Sequence, residues 1–245
     1  MPRTFRLKFN RIGPMCYIGH LDMMRYMQKA VMRAELDIRY SEGYHPHQIM
    51  SFAYPLGVGM ETHGDYFDMD LLSYTISSGK LLFGDEDVIE EAILTEVCSG
   101  IMQDLNAVMQ EGTEILSVSL VPVKADNAMA SVMAASYDVL LDDMTHFTAE
   151  KIMNYLSQPE IMVEKEGKKG PVLKNIKEGI YNFALTENGH LYMYVCSGSS
   201  LNIKPADIVS SYLRYHQLEE IKIRHIIRLE TYRSENGKLV PLGYD

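Results

Sequence analysis

Across residues 3–10, Phe5, Leu7 and Phe9 alternate with Arg6 and Lys8. A two-residue period of this kind fits a strand with one buried face, so the chain must supply something apolar to lie against it. After the break at Gly13 and Pro14, it does. Leu21, Met24, Met27, Ala30, Val31 and Ala34 recur at helical spacing over residues 19–34, with Arg25, Lys29 and Arg33 toward the other face.

The same alternation governs the rest of the first half. Residues 36–40 read as a short strand, the turn-rich Ser41-Glu42-Gly43-Tyr44-His45-Pro46-His47 follows, and residues 49–54 are extended again. Over residues 65–72, Phe67, Met69 and Leu71 oppose Tyr66, Asp68 and Asp70. Residues 87–109 carry a helical pattern with an interruption expected at Ser99-Gly100, and 114–121 return to strand character. If the first strand lies beside the one carrying Asp68 and Asp70, Arg6 and Lys8 meet those carboxylates in cross-strand ion pairs.

After a Lys-, Asn- and Ala-containing link at 124–131, the order repeats. Strands are expected at 137–141 and 161–165, a hairpin at 181–196 around Glu187-Asn188-Gly189, helices at 148–157 and 205–215, and a last strand at 221–231. The expected fold class is therefore α+β, as two ferredoxin-like βαββαβ units packed as a pseudo-duplication. The N-terminal lobe would occupy 1–123 and the C-terminal lobe 132–245, an assignment that rests on element order.

Composition excludes several function classes. With 47% hydrophobic and 23% charged residues the chain is of ordinary globular make-up. Cys16, Cys98 and Cys196 are far apart and form no cluster of the kind that binds zinc or an iron–sulfur centre, which fits a reducing compartment. Residues 1–10 lack the apolar run of a signal peptide and no stretch has the length and apolarity of a membrane span, so the expected location is cytoplasmic, with no membrane partner. A net charge of −10 argues against broad electrostatic binding of nucleic acid; any RNA contact must be local.

The candidate binding residues fall in three places. His20, Asp22 and Arg25 stand at the start of the first helix, where His20 and Asp22 either cap it or help its free N–H groups receive an anion. Ser41, Gly43, Tyr44 and His45 belong to a loop that combines a flexible Gly, a rigid Pro, an aromatic ring and imidazoles, the make-up of an exposed recognition loop able to stack on a base. Lys165, Lys168 and Lys169, with Lys174 and Lys177, make the densest basic run in the chain, a phosphate-contacting arm or a solvated hairpin.

Other polar groups read as structural. Lys222, Arg224 and Arg228 alternate with Ile221, Ile223, Ile227 and Leu229 and are expected on a solvated sheet face. His20, His45, His47 and His63, even with Asp22 and Asp65, lack metal-ligand spacing, and no Walker loop, GxGxxG, GxSxG or paired-carboxylate motif stands in the chain. No metal or cofactor, and no catalytic centre, is expected.

Gly19-His20-Leu21-Asp22-Met23-Met24-Arg25, Tyr40-Ser41-Glu42-Gly43-Tyr44-His45-Pro46, Ser51-Phe52 and Pro55-Leu56-Gly57-Val58 occur in an order that resembles the radical SAM-associated family, a bacterial domain of unknown function. Weaker likeness continues through Leu105-Asn106, Ala135-Ser136-Tyr137 and Lys168-Lys169-Gly170. Two departures stand out: His45-Pro46-His47-Gln48, where that family usually has Asn before the Pro and basic residues after it, and Asn175-Ile176-Lys177, where it is more acidic. The resemblance implies fusion to, or encoding beside, a radical SAM protein. It therefore implies an accessory or substrate-binding module with a radical SAM partner, presenting RNA or another anionic substrate through His20, Arg25, Tyr44, His45 and the 165–170 loop. The alternative is a metal-independent RNA-processing enzyme of RAMP-like fold with His20 or His45 as general base.

Overall fold

A computed structural model describes residues 1–83, 89–167, 170–198 and 201–244, and the N-terminal alternation is its first strand, β1 (Arg3–Arg11). Phe5, Leu7 and Phe9 are fully buried on one face, as their period requires. A 3-10 turn at Gly13–Tyr17 leads to α1 (His20–Arg33), which buries Met23, Met27, Ala30 and Val31. Two short strands, β2 (Asp37–Ile38) and β3 (Met50–Phe52), precede the long β4 (Glu61–Thr75) and the short β5 (Leu81–Leu82). Then come α2 (Glu91–Asn106), β6 (Ile115–Leu120) and the single turn α3 (Ala128–Ser131).

The chain divides into two units, unit 1 comprising Met1–Val132 with Arg233–Asp245, and unit 2 comprising Met133–Tyr232. In unit 1, β1 lies between β4 and β6, antiparallel to both, and β2 and β3 also pair antiparallel with β4. Residues of α1 and α2 pack on the face that carries Phe5, Leu7, Phe67 and Met69. Burial of this apolar layer supplies the main stabilisation, at roughly 25 cal/mol per Å² removed from water.

Unit 2 contains β7 (Ala134–Leu141), α4 (Ala149–Leu156), the hairpin β8 (Met162–Gly167) and β9 (Gly170–Asn175), β10 (Ile180–Leu185), β11 (Leu191–Cys196), α5 (Pro205–Tyr215) and most of β12 (Ile223–Glu235). The strand order is β10-β11-β7-β12, with each neighbouring pair antiparallel. Strand β13 (Lys238–Pro241) pairs with β12. The whole is a mixed α/β protein, with five α-helices among the described residues.

Several expectations are corrected. Helix α2 runs through Ser99-Gly100 without a break and ends at Asn106, short of Met109; the expected start at Asp87 lies outside the described residues. Gly100 is there for space, since a Cβ on it would come 2.1 Å from the Tyr74 hydroxyl, which bonds Asp104 at 2.8 Å. The 124–131 stretch is more than a link, because it forms α3 and buries Ala128 completely.

The basic stripe on the last strand is also different from its pattern. Arg228 is 2% exposed and lies 5.9 Å from the centre of the Tyr137 ring, because irregularities at Ile223/His225 and Arg228/Glu230 break the simple alternation of β12. The ion pairs expected of β1 divide. Arg6 faces Asp68 as expected, whereas Lys8 is opposite Tyr66, with its ammonium 5.9 Å from the ring centre.

Candidate recognition surfaces

The 41–47 loop is built from its ends inward. An isolated bridge joins Tyr40 to Gln48, the Ser41 N–H donates to the His47 carbonyl at 2.8 Å, and the Ser41 hydroxyl both accepts from the His47 N–H at 3.1 Å and lies 2.8 Å from His47 Nδ1. These bonds close a short loop whose tip is turned by Gly43 at φ +112°, a conformation L side chains rarely adopt. Tyr44, at that tip, is fully exposed, and His45 and Pro46 beside it are exposed as well. The buried Gln48 donates to the Gln28 carbonyl of α1 at 3.2 Å and so ties the loop to the helix.

The other residues expected here have definite places. Gly19 is the N-cap of α1, with no side-chain cap, and the His20 ring stands edge-on to Phe52 at 5.6 Å, a packing contact. Asp22 and Arg25 pair at 3.0 Å on an exposed helix face, where such pairs contribute little, about 0.3–0.5 kcal/mol. In unit 2, Lys165 is ion-paired with Asp207 at the start of α5 and donates to the Asn202 carbonyl at 3.0 Å. Lys165 belongs to β8 of the hairpin, and Lys168 and Lys169 lie outside the described residues.

A second surface, carrying no sequence motif, lies on unit 2. Along β11, Leu191, Met193 and Val195 are buried on the face where Phe183 meets Tyr155 of α4 and Tyr212 of α5. Period two then puts Tyr192, Tyr194 and Cys196 on the opposite face. Tyr194 is directly opposite Ser136 of β7, and Tyr192 opposite Asp138. Ser136 is small, so rings can meet above it. Tyr194 lies 4.8 Å from Tyr232 of β12 and 5.3 Å from Tyr181 of β10, and the Tyr232 and Ser136 hydroxyls are 3.2 Å apart.

The row therefore crosses the sheet from β10 to β12, and its members are only partly covered. Burial and the neighbouring phenols push the Tyr194 hydroxyl up to about 12, so it stays neutral and able to donate a hydrogen bond at ordinary pH. Burial also raises Tyr192. Next to Tyr192, His190 Nδ1 lies 2.7 Å from Asp138 Oδ1, with side chains 32% and 25% exposed. Flat aromatic faces flanked by a carboxylate and an imidazole can receive a planar ring by stacking and meet its polar edge. The sequence signal was the aromatic pair two apart in Leu191-Tyr192-Met193-Tyr194; what it lacked was the strand opposite.

Among the described residues, no group of three or more His, Cys, Asp or Glu side chains is placed to hold a metal ion, and no helix is long and apolar enough to cross a membrane. The class defined by this fold is a mixed α/β protein of two units, one with an ordered exposed loop and the other with a tyrosine-lined sheet face. The chain belongs to a family of uncharacterized proteins conserved in bacteria (DUF2344), whose profile matches residues 4–80 and 87–205 and so takes in both surfaces except Tyr232. A comparison with curated proteins finds no match.

Proposed function

We propose that this protein is an accessory, substrate-binding module for a radical SAM protein and that it holds a single-stranded RNA segment on the tyrosine face of unit 2. The observation that carries the reading is the row Tyr181, Tyr194 and Tyr232 across β10, β11 and β12. Aromatic side chains on an open sheet face stack successive unpaired bases, each worth about 1–3 kcal/mol. In an acidic chain, stacking is the mode of RNA binding that depends least on accumulated positive charge. The exposed 41–47 loop then serves as the contact to the partner protein, with Tyr44 as its anchor.

The same proposal takes both units as copies of one βαββαβ plan. Unit 1 runs β6-β1-β4 with β3 on β4, and unit 2 runs β12-β7-β11-β10. Each places its fourth, first, third and second strands in that spatial order.

Two measurements test the two parts. Anisotropy of a labelled single-stranded RNA titrated with the protein should saturate, and Tyr194→Ala should weaken it about tenfold; a flat titration removes RNA from the reading. Purified protein mixed with the radical SAM protein of the same cell should form a complex that Tyr44→Ala weakens, and no complex removes the partner. The alternative of a metal-independent RNA-processing enzyme draws its support from His190, whose contact with Asp138 orients an imidazole beside the tyrosine face. RNA cleavage in the presence of a chelator, lost on His190→Ala, would favour it.

A further inference from the structure

Strand β6 ends the sheet of unit 1: it pairs with β1 on one side and with no strand on the other among the described residues. Proteins usually blunt such an edge with charge, proline or a cover, because its unpaired N–H and C=O groups are a template for another strand. Residues 115–120 read Ile-Leu-Ser-Val-Ser-Leu, without a charge or a proline. The segment from Leu116 to Leu120 is a palindrome, Leu-Ser-Val-Ser-Leu.

Which backbone groups face outward follows from the pairing to β1. The Val121 N–H donates to the Thr4 carbonyl at 2.8 Å, so the alternation of an antiparallel ladder turns the groups of Ser119 and Ser117, opposite Arg6 and Lys8, inward. Val118 and Leu120 present theirs to the outside. The ladder is irregular between Lys8 and Phe9, which leaves Leu116 outside regular pairing with β1 and ends the flat part of the edge there. A groove of about 520 Å³ runs along the strand, lined by all five residues from Leu116 to Leu120 and, from α2, by Leu94, Cys98 and Met102 among others.

The geometry points to a second copy of this chain as the occupant. Two β6 strands would pair antiparallel about a two-fold axis at Val118, an isologous contact in which one surface serves both partners. Val118 then exchanges backbone hydrogen bonds with its own symmetry mate, and Leu120 faces Leu116 of the other copy. Facing residues on antiparallel strands share a side of the sheet, so the leucines and valines meet beside both α2 helices, while on the opposite face Ser117 lies across from the other copy's Ser119, whose hydroxyl accepts from the Tyr244 N–H of its own chain at 3.1 Å. A palindrome is what allows one register to satisfy both halves; an arbitrary peptide would need only one half to fit.

Sedimentation equilibrium of the full chain tests this. The 27.9 kDa chain should sediment at twice its mass at high concentration. Val118→Pro, which removes the N–H at the axis yet is tolerable on an edge strand, should shift the dimer dissociation constant upward at least tenfold. Val118→Lys, which sets two like charges across the axis, should do the same. Hydrogen exchange on the unmodified protein needs no variant to fold: the Val118 and Leu120 amides should become slower to exchange as concentration rises, and those elsewhere on the surface should not. A chain that stays monomeric, a dimer indifferent to both substitutions, or concentration-independent exchange at Val118 would each overturn the proposal, the first leaving the edge open to an extended peptide from another protein.

Discussion

The two units follow a similar strand order and treat the sheet face away from their principal helices in opposite ways. In unit 1 that face carries Arg6, whose guanidinium reaches both oxygens of Asp68 at 2.7 and 2.9 Å and donates to the carbonyls of Leu242 and Asp126. The Ala128 N–H closes on the same carboxylate at 2.6 Å, and Tyr244 lies against the guanidinium, 5.1 Å from its ring centre. Arg6 is 1% exposed. In unit 2 the corresponding face carries partly exposed tyrosines with small Ser136 between them. What differs is the covering chain: residues 124–132 and the returning C-terminal segment, with Leu242 and Ala128 fully buried, lie over the first face. A covered sheet face becomes core with a satisfied ion pair, and a partly open one keeps its aromatic side chains within reach of solvent.

The sharpest break of this comparison is Arg6→Ala. It leaves the Asp68 carboxylate buried without its partner, and urea unfolding should show a loss of about 3–5 kcal/mol. Burial already pushes the Asp68 carboxyl up, against the pull of Arg6 and the Ala128 N–H, so without Arg6 only that one backbone bond favours the charged form over its desolvation. Replacing both partners, Arg6→Met with Asp68→Leu, should recover only part of that loss, because the Leu242 and Asp126 carbonyls and the Ala128 N–H lose the partners they have here. Asp138→Asn on the open face of unit 2, where water still reaches the pair with His190, should change stability by less than about 1 kcal/mol. Equal costs at the two sites would break the comparison.

Gly100→Ala ranks next. The added Cβ would fall on the Tyr74 hydroxyl, and a cost of about 1–3 kcal/mol is expected by thermal or urea unfolding. In the Tyr74→Phe background the same change should cost less, because the clashing oxygen is gone. Tyr192→Ala and Tyr194→Ala should each weaken RNA binding about tenfold, roughly 1.4 kcal/mol, within the range of one stacked base. Their effect on unfolding should stay well below that of Arg6→Ala. A local change is expected of Ser41→Ala, about 1 kcal/mol of loop order, seen as faster hydrogen exchange at His47 with the global unfolding midpoint nearly unmoved.

Much of the fold was legible because period-two and period-3.6 patterns report which residues share a face. Phe5, Leu7 and Phe9 announced β1, and 205–215 announced α5 to the residue. Even the Arg6–Asp68 pair followed from placing β1 beside β4. The errors came where a single residue answers to a distant one. Gly100 reads locally as a breaker but is set by Tyr74, and Arg228 reads as a wet charge until the irregularities of β12 turn it onto Tyr137. The second strand of the β8–β9 hairpin had no alternation of burial to reveal it, since Pro171 to Asn175 are all exposed. The 41–47 loop was visible from its turn residues. The tyrosine face was not, because alternation along β11 says that Tyr192 and Tyr194 share a side without saying that the chain leaves that side partly open.

Photo-crosslinking of 4-thiouridine-labelled single-stranded RNA, with the modified peptides located by mass spectrometry, tests the central claim most directly. Cross-links should concentrate on β11 and on Tyr181 and Tyr232, with the covered face of unit 1 unlabelled. Labelling confined to the 41–47 loop or to the lysines of β8 and β9, or no labelling at all, would contradict it.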